Sequence, residues 1–509
     1  TRELFAGSYN MQATYNKTSS GYVSVDVTKD EGLDKIDHIF ETKEAKVKVQ
    51  DSNGTALSGV EIKYQAGGST MAFGTTDASG IATRELFAGS YNMQATYNKT
   101  NSGYVSVDVT KDEGDDKLDH IFVATLVTLN FPGTIKYKAG GSTNTFTSPM
   151  ALFPGTYEFI FSISGKSVTR QLTIGGSSVN DSIGVVAQLD SAGNGLAGGV
   201  VDYYANGWVK NAATTGSDGY ALLQVPAGKN VTNVAMNYKG GRVQINQNMS
   251  VNPYYEFRTL KVEVQLLSSD GDKLDGFAEY HGEGWKIFGD NGEGNTNISM
   301  EMLPAKYSFR VTYAGATQQK SNVDVNTTPV VEFRTTKVTV ELLDSKGKKL
   351  DGGAAEYHAS GWKQFGEKGE ANSEMELLPV KYSFRVTYDG ATQQKSNVQI
   401  AEAATDVVTF QTGAIILHYA GGTLSYHSSG WKAYTGALEM LPVKTQFRLQ
   451  RSGWPNGQFY ITPVEGQVYE KTIAVLRLVD SKGNGLAGGT ASYYASGYKE
   501  LGQTDKNGV

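Results

Sequence analysis

Forty residues of this chain occur twice. Residues 1–40 and 83–122 differ only at Ser19/Asn101, Leu33/Asp115 and Ile36/Leu118, at an offset of 82. A second pair is as clear: YSFRVTYAGATQQKSNV at 307–323 returns as YSFRVTYDGATQQKSNV at 382–398, offset by 75. Near-identical segments fold alike, and a chain of 509 residues is too long for one core. The sequence therefore describes an array of units, each of roughly 60–82 residues. Weaker copies align on two landmarks. One is a Tyr shortly before Gly-Trp or Gly-Tyr: YANGW at 204–208, YHGEGW at 280–285, YHASGW at 357–362, YHSSGW at 426–431 and YYASGY at 493–498. The other is a Leu-Phe or Leu-Pro step before an alternating run, as in LFAGSYNMQATY, LFPGTYEFIF, MLPAKYSFRVTY, LLPVKYSFRVTY and MLPVKTQFRLQ.

Inside each unit the apolar period is two. KVTVELL (337–343) places Val338, Val340 and Leu342 on one face, and YSFRVTY (382–388) does the same with Tyr382, Phe384, Val386 and Tyr388. That is the pattern of a strand with one buried face. The turns between runs are explicit: DSNG (51–54), DASG (77–80), DSAGNG (190–195), DSKG (344–347) and DSKGNG (480–485). Asp opens such a turn by accepting backbone N–H bonds, and Gly takes the positive φ that closes it. No stretch shows three turns of helical periodicity. The 60 Gly, 29 Tyr and only 11 Pro suit strands with glycine turns. These landmarks divide the chain into a C-terminal half-unit (1–42), units at 43–124, 125–183, 184–258, 259–335, 336–412 and 413–472, and an N-terminal half-unit (473–509). Units 125–183 and 413–472 are short: they lack the first Asp turn and read as starting directly on the Gly-Gly strand. No Pro/Ser linker separates units; in VVEFRTTKVTVELL (330–343) one unit's last strand meets the next unit's first within two or three residues. Joints that short predict a stiff, extended rod.

The motif order within a unit is V-x-V-x-x-x-D-S-x-G-x-x-L-x-G, a Tyr strand, TDxxG, then L-x-x-G-x-Y. The fullest match is 43–124, with DSNGTALSGV, TTDASG and LFAGSYNMQATY; 184–258 and 473–509 carry DSAGNGLAGG with GSDG and DSKGNGLAGG with TDKNG. This order resembles the prealbumin-like β-sandwich repeats of bacterial surface proteins, including the B-type repeats of collagen adhesins and the carboxypeptidase-regulatory-like domains. The resemblance implies an all-β chain: a tandem array of Ig-like (prealbumin-like) seven-stranded sandwiches forming an extended rod or filament. Many B-type repeats carry a Lys–Asn isopeptide bond, catalysed by a Glu four residues after the Gly-x-Tyr tyrosine. The matching positions here are Ala95, Phe161, Val311 and Val386. None carries the carboxyl needed to move protons, so no such cross-link is expected in that geometry.

Chemistry has few candidates. No GxSxG, phosphate loop or HExxH motif occurs. His38/His120 and His281/His358/His427 recur once per copy, which suits surface strand positions, and His418 stands alone. An enzyme is not expected, nor a cofactor. The acidic loops KDEGLDKID (29–37) and KDEGDDKLD (111–119) are the calcium candidates, but they lack DxDxDG spacing and read as solvated turns. The net charge of −6 offers no basic patch for nucleic acid, and no apolar run is long enough to span a membrane. There is no Cys, which excludes a disulfide scaffold. Eight Asn-x-Ser/Thr sequons occur, at Asn16, Asn53, Asn98, Asn180, Asn230, Asn248, Asn297 and Asn326.

The recurring aromatic after Gly is the most suggestive feature: Trp208, Trp285, Trp362, Trp431 and, in the last unit, Tyr498. One reading is packing, at a core end or against the neighbouring unit. The other is a ladder of exposed rings for glycans or partner-cell surfaces, gaining by avidity. Trp454, in RSGWPNG, lies outside the pattern. Packing is the expected role, and the expected function is mechanical: the shaft of a long bacterial extracellular surface fibre, stalk or adhesin. Its main partner would be itself. TDKNGV at the C-terminus reads as the first half of a unit whose second half is TRELFAGSY. A window of a longer periodic chain is the expectation, ahead of head-to-tail joining of copies.

Overall fold

In a computed structural model of the chain, residues 3–28, 36–110, 117–163, 165–453 and 456–509 are described. Every regular element among them is a strand; there is no helix. The strands form small sheets in tandem, and the chain divides into two units: residues 1–238 with 242–259, and residues 239–241 with 260–509.

In the second unit, residues 336–412 show the repeat fully. The seven strands are β1 (Thr336–Leu343), β2 (Ala354–His358), β3 (Trp362–Gln364), β4 (Ser373–Leu377), β5 (Lys381–Tyr388), β6 (Ala391–Gln399) and β7 (Thr405–Gln411). One sheet has the order β4-β1-β7 and the other β3-β2-β5-β6. All pairings are antiparallel except β1 with β7, which run parallel from Lys337↔Thr405 to Leu343↔Gln411. Val338, Val340 and Leu342 of β1 face Tyr357, Tyr382, Phe384 and Val386 of the other sheet, all buried. Burying each such side chain contributes about 1.5–3 kcal/mol before chain entropy is counted. The turn after β1 forms as its residues require. Asp344 Oδ1 accepts the N–H groups of Lys346 at 2.9 Å and Lys348 at 2.8 Å, and Gly347 takes φ +83°.

Residues 259–335 and 413–472 of this unit repeat the two-sheet arrangement. The short repeat 413–472 does not start on its Gly-Gly strand. It keeps a first strand, Gly413–Tyr419, and all seven strands; only the connection to the second strand is trimmed. Residues 473–509 contribute one hairpin, Thr490–Tyr494 with Tyr498–Gln503.

In the first unit, 125–183 likewise keeps a first strand ahead of its Gly-Gly turn. Here adjacent sandwiches share strands. His120–Asn130 pairs in parallel with Val47–Asp51 through its first five residues, then with Met150–Leu152 and Val179–Ser182 through the rest. Val179–Leu189 is shared in the same way, pairing next with Tyr220–Pro226 and Tyr254–Arg258. Residues 3–28 form a hairpin of Gly7–Met11 with Val23–Val27.

Candidate functional site

Two kinds of polar cluster recur along the array: contacts where sandwiches meet, and an aromatic cluster on an outer sheet face of the repeats that carry the Gly-Trp landmark.

The first joint contact arises from a hairpin tip. In YNKT the residues Asn16 and Lys17 take φ +49° and +58°, and their copies Asn98 and Lys99 take +48° and +60°. Positive φ at both central positions makes the tight turn that matches strand twist. The tip then projects its carbonyl at the next sandwich. Tyr64 donates its hydroxyl to Asn16 O at 2.6 Å, and Tyr137 donates to Asn98 O at 2.6 Å. The tip side chains add to this: Asn98 Nδ2 donates to Ala151 O at 2.9 Å, and Thr100 Oγ1 accepts from Phe153 N at 3.0 Å. In the second unit Tyr357 donates to Ala314 O at 2.9 Å, and Tyr426 to Asp389 Oδ2 at 2.8 Å. Burial, with the Asp389 carboxylate beside it, pushes the Tyr426 hydroxyl up to about 12, so it remains a donor.

The second contact is a carboxylate clasp in the second unit. Glu376 accepts the hydroxyl of Ser269 at 2.5 Å, its N–H at 3.2 Å, and the hydroxyl of Thr335. Glu439 accepts the same set from Ser345, at 2.7 Å (Oγ) and 2.8 Å (N–H), and from Thr412. Thr335 and Thr412 are fully buried, so their hydroxyls need these acceptors. The Ser and Thr belong to one sandwich and the Glu to the next. Sequence reasoning missed this clasp. Its signal was present: Ser at the second position of the first turn (SSDG at 268–271, DSKG at 344–347), Thr between adjoining strands, and Glu before Met-Leu-Pro or Leu-Leu-Pro recur together.

The aromatic landmark builds the other cluster. Tyr203, Tyr280, Tyr357 and Tyr426 point into cores, so the residue after each points out. Those residues pair across the hairpin with the landmark aromatics: Tyr204↔Trp208, His281↔Trp285, His358↔Trp362, His427↔Trp431 and Tyr494↔Tyr498. Each pair meets edge to face, with centroids 5.3–5.6 Å apart. Every Trp of the series therefore lies on the outer face of its four-stranded sheet, partly exposed, and Tyr498 is 83 % exposed. A guanidinium covers each indole: Arg242 over Trp208, Arg310 over Trp285, Arg385 over Trp362 and Arg448 over Trp431, at 4.0–4.4 Å from the ring centroid. Arg310 and Arg385 are held by two-pronged bonds to Glu279 (2.6 and 2.7 Å) and Glu356 (2.6 and 2.9 Å). Arg385 beside it keeps the Glu356 carboxyl below its usual range. In 259–335 and 336–412, carboxylate, guanidinium, indole and imidazole thus form a chain of contacts on one sheet face, spread over two neighbouring rungs.

Several sequence candidates fall elsewhere. Ala95, Phe161, Val311 and Val386 are fully buried in apolar cores. The sequons Asn16, Asn98 and Asn297 are not free surface amides: their side chains bond backbone groups, Asn297 through Leu266 N and Leu274 O. Residues 29–35 and 111–116 of the acidic loops, and Trp454, lie outside the described residues. Among the described residues, no group of three or more His, Asp or Glu side chains is placed to hold a metal ion, and no helix is long and apolar enough to cross a membrane.

No protein-family model and no curated protein sequence matches the chain. Solved structures returned for it include the TIE protein of Bacillus anthracis, at 11 % identity and TM-score 0.14, covering 84 % of this chain and 68 % of that one. The major pilin subunit BcpA of Bacillus cereus is 12 % identical at TM-score 0.14, covering 58 % and 98 %. The pilus adhesin SpaC of Lactobacillus rhamnosus GG is 8 % identical at TM-score 0.15, covering 83 % and 57 %. At these scores the fold rests on the strands themselves.

Proposed function

We propose that this chain is a structural segment of an extracellular surface fibre, a shaft of prealbumin-like sandwiches that holds something away from the cell. The observation that carries this reading is the repeated joint. Within each unit, a Tyr hydroxyl of one sandwich docks on the hairpin tip of its neighbour. A chain of independent beads has no need of bonds renewed at successive junctions. Bonds that fix each sandwich on the next suit a stiff spacer. Small-angle scattering and negative-stain images of the 509-residue chain test it. A thin particle of about 30–40 Å per sandwich is expected, from strands of five to eight residues with their turns. A particle of globular dimensions would overturn the reading.

A second reading takes the partly exposed indoles as a multivalent surface for glycans or partner cells. Trp208 and Trp431 are 39 % and 38 % exposed, which favours it; the guanidinium over each ring occupies a face that a sugar would stack on. Glycan-array binding that disappears on Trp431→Ala and Trp208→Ala would select it.

A further inference from the structure

Each sandwich begins with one strand and ends with a strand lying parallel beside it in the same sheet. In 336–412 these are β1 and β7. Because the two are parallel, the chain enters at one end of their ladder and leaves at the other. Tension along the chain therefore pulls β1 and β7 in opposite directions along their length. The ladder's evenly spaced bonds then share the load and must fail together, whereas a ladder pulled open from one end breaks bond by bond. Load also passes between successive ladders within each unit with no long loop between them. In the first unit the strands His120–Asn130 and Val179–Leu189 each belong to two sandwiches, and in the second Thr412 alone separates β7 from Gly413–Tyr419.

We infer that the parallel ladder of first and last strands is a force-bearing clamp, and that its length grades the mechanical strength of each sandwich. This rests on the shaft reading, since only a shaft is loaded through its ends. The ladder has four register pairs in 125–183, from Val127↔Val179 to Asn130↔Ser182. It has five in 43–124, 184–258 and 259–335, six in 413–472 and seven in 336–412. Under tension, 125–183 should yield first and 336–412 last.

The test is single-molecule stretching of the whole chain held at its two ends. At about 3.6 Å per extended residue, opening 125–183 releases about 18 nm and 336–412 about 25 nm. The chain has no Cys, so paired handles are site-specific. Arg334→Cys with Glu402→Cys grips the same end of β1 and β7 and peels their ladder; the rupture force for 336–412 should fall several-fold. Thr339→Pro should move 336–412 from last to among the first. Lys337 N donates toward the β7 side, at Ala404 O, so the N–H two residues on faces the same way. Met375→Pro, in β4 on the side of β1 away from β7, should leave its rank unchanged. If Thr339→Pro does not fold, the unsubstituted chain and the handle pair still decide. Equal forces for peeling and end-to-end loading, or an order of rupture unrelated to ladder length, would overturn the clamp while leaving the shaft reading standing. A globular particle in scattering would remove the shaft reading itself.

Discussion

TRELFAGSYNMQATYNKT stands at residues 1–18 and again at 83–100, in two different surroundings. Phe87 is 4 % exposed and Leu86 fully buried; Phe5 is 90 % exposed and Leu4 48 %. The hairpins are nevertheless the same. Gly7–Met11 pairs with Val23–Val27 in the register that Gly89–Met93 uses with Val105–Val109. Both tips make the same positive-φ turn and receive the same Tyr bond at 2.6 Å. What differs is the stretch before the hairpin. Ile81–Leu86 is a strand, paired with Lys43–Lys48, whereas residues 3–6 pair with nothing in a sheet. Hairpin and tip are thus local products of their sequence, while burial belongs to their surroundings: Leu86 pairs with Lys43, and Phe87 N donates to Thr18 Oγ1 of the preceding tip at 3.2 Å.

The contrast is sharpest in the phenylalanines. Phe87→Ala should cost about 3–5 kcal/mol in urea titration followed by hydrogen exchange at residues 81–109. Phe5→Ala should change stability by less than about 0.5 kcal/mol. Equal costs at the two positions would break the comparison. Side chains supplied by two neighbours come next. Glu376→Ala leaves the Ser269 and Thr335 donors without their carboxylate and should cost about 1–3 kcal/mol, seen as faster exchange at the Ser269 amide. The tips predict equality rather than difference: Tyr64→Phe and Tyr137→Phe should each lose about 1 kcal/mol. The smallest effect is acid sensitivity. Asp77 heads the turn before Ile81–Leu86, and its bonds to Ser79 and Ile81 hold its carboxyl below the ordinary 3.8. A depressed carboxyl contributes fully above its unfolded value and loses that contribution as pH falls through the folded one. Exchange at the Ile81 amide should therefore quicken below about pH 4, while residues 3–28, which lack that turn, should not respond.

Much of this molecule is legible in order along the chain. Val338, Val340 and Leu342 are buried on one face as their alternation requires, and Asp344 and Gly347 close the turn that their types demand. The aromatic landmark was legible as a pattern, but not its placement. Trp362 follows a core-facing Tyr357 by five residues, and only the hairpin pairing with His358 puts it on the outer face. Its Arg385 cover comes from a strand more than twenty residues away. The short repeats 125–183 and 413–472 read from sequence as beginning on their Gly-Gly strands because their first strands carry no Asp turn to mark them.

By itself the sequence determined the strands, the turns, the hairpin tips and the recurrence of a sandwich, because each depends on residues within a few positions of one another. Only the tertiary structure decided whether Phe5 or Phe87 is covered, which Glu clasps which Ser, and that first and last strands run parallel. Those outcomes join residues as far apart as Ser269 and Glu376. No local pattern of polarity encodes such a contact; it exists only once two sheets and two neighbouring sandwiches are in place.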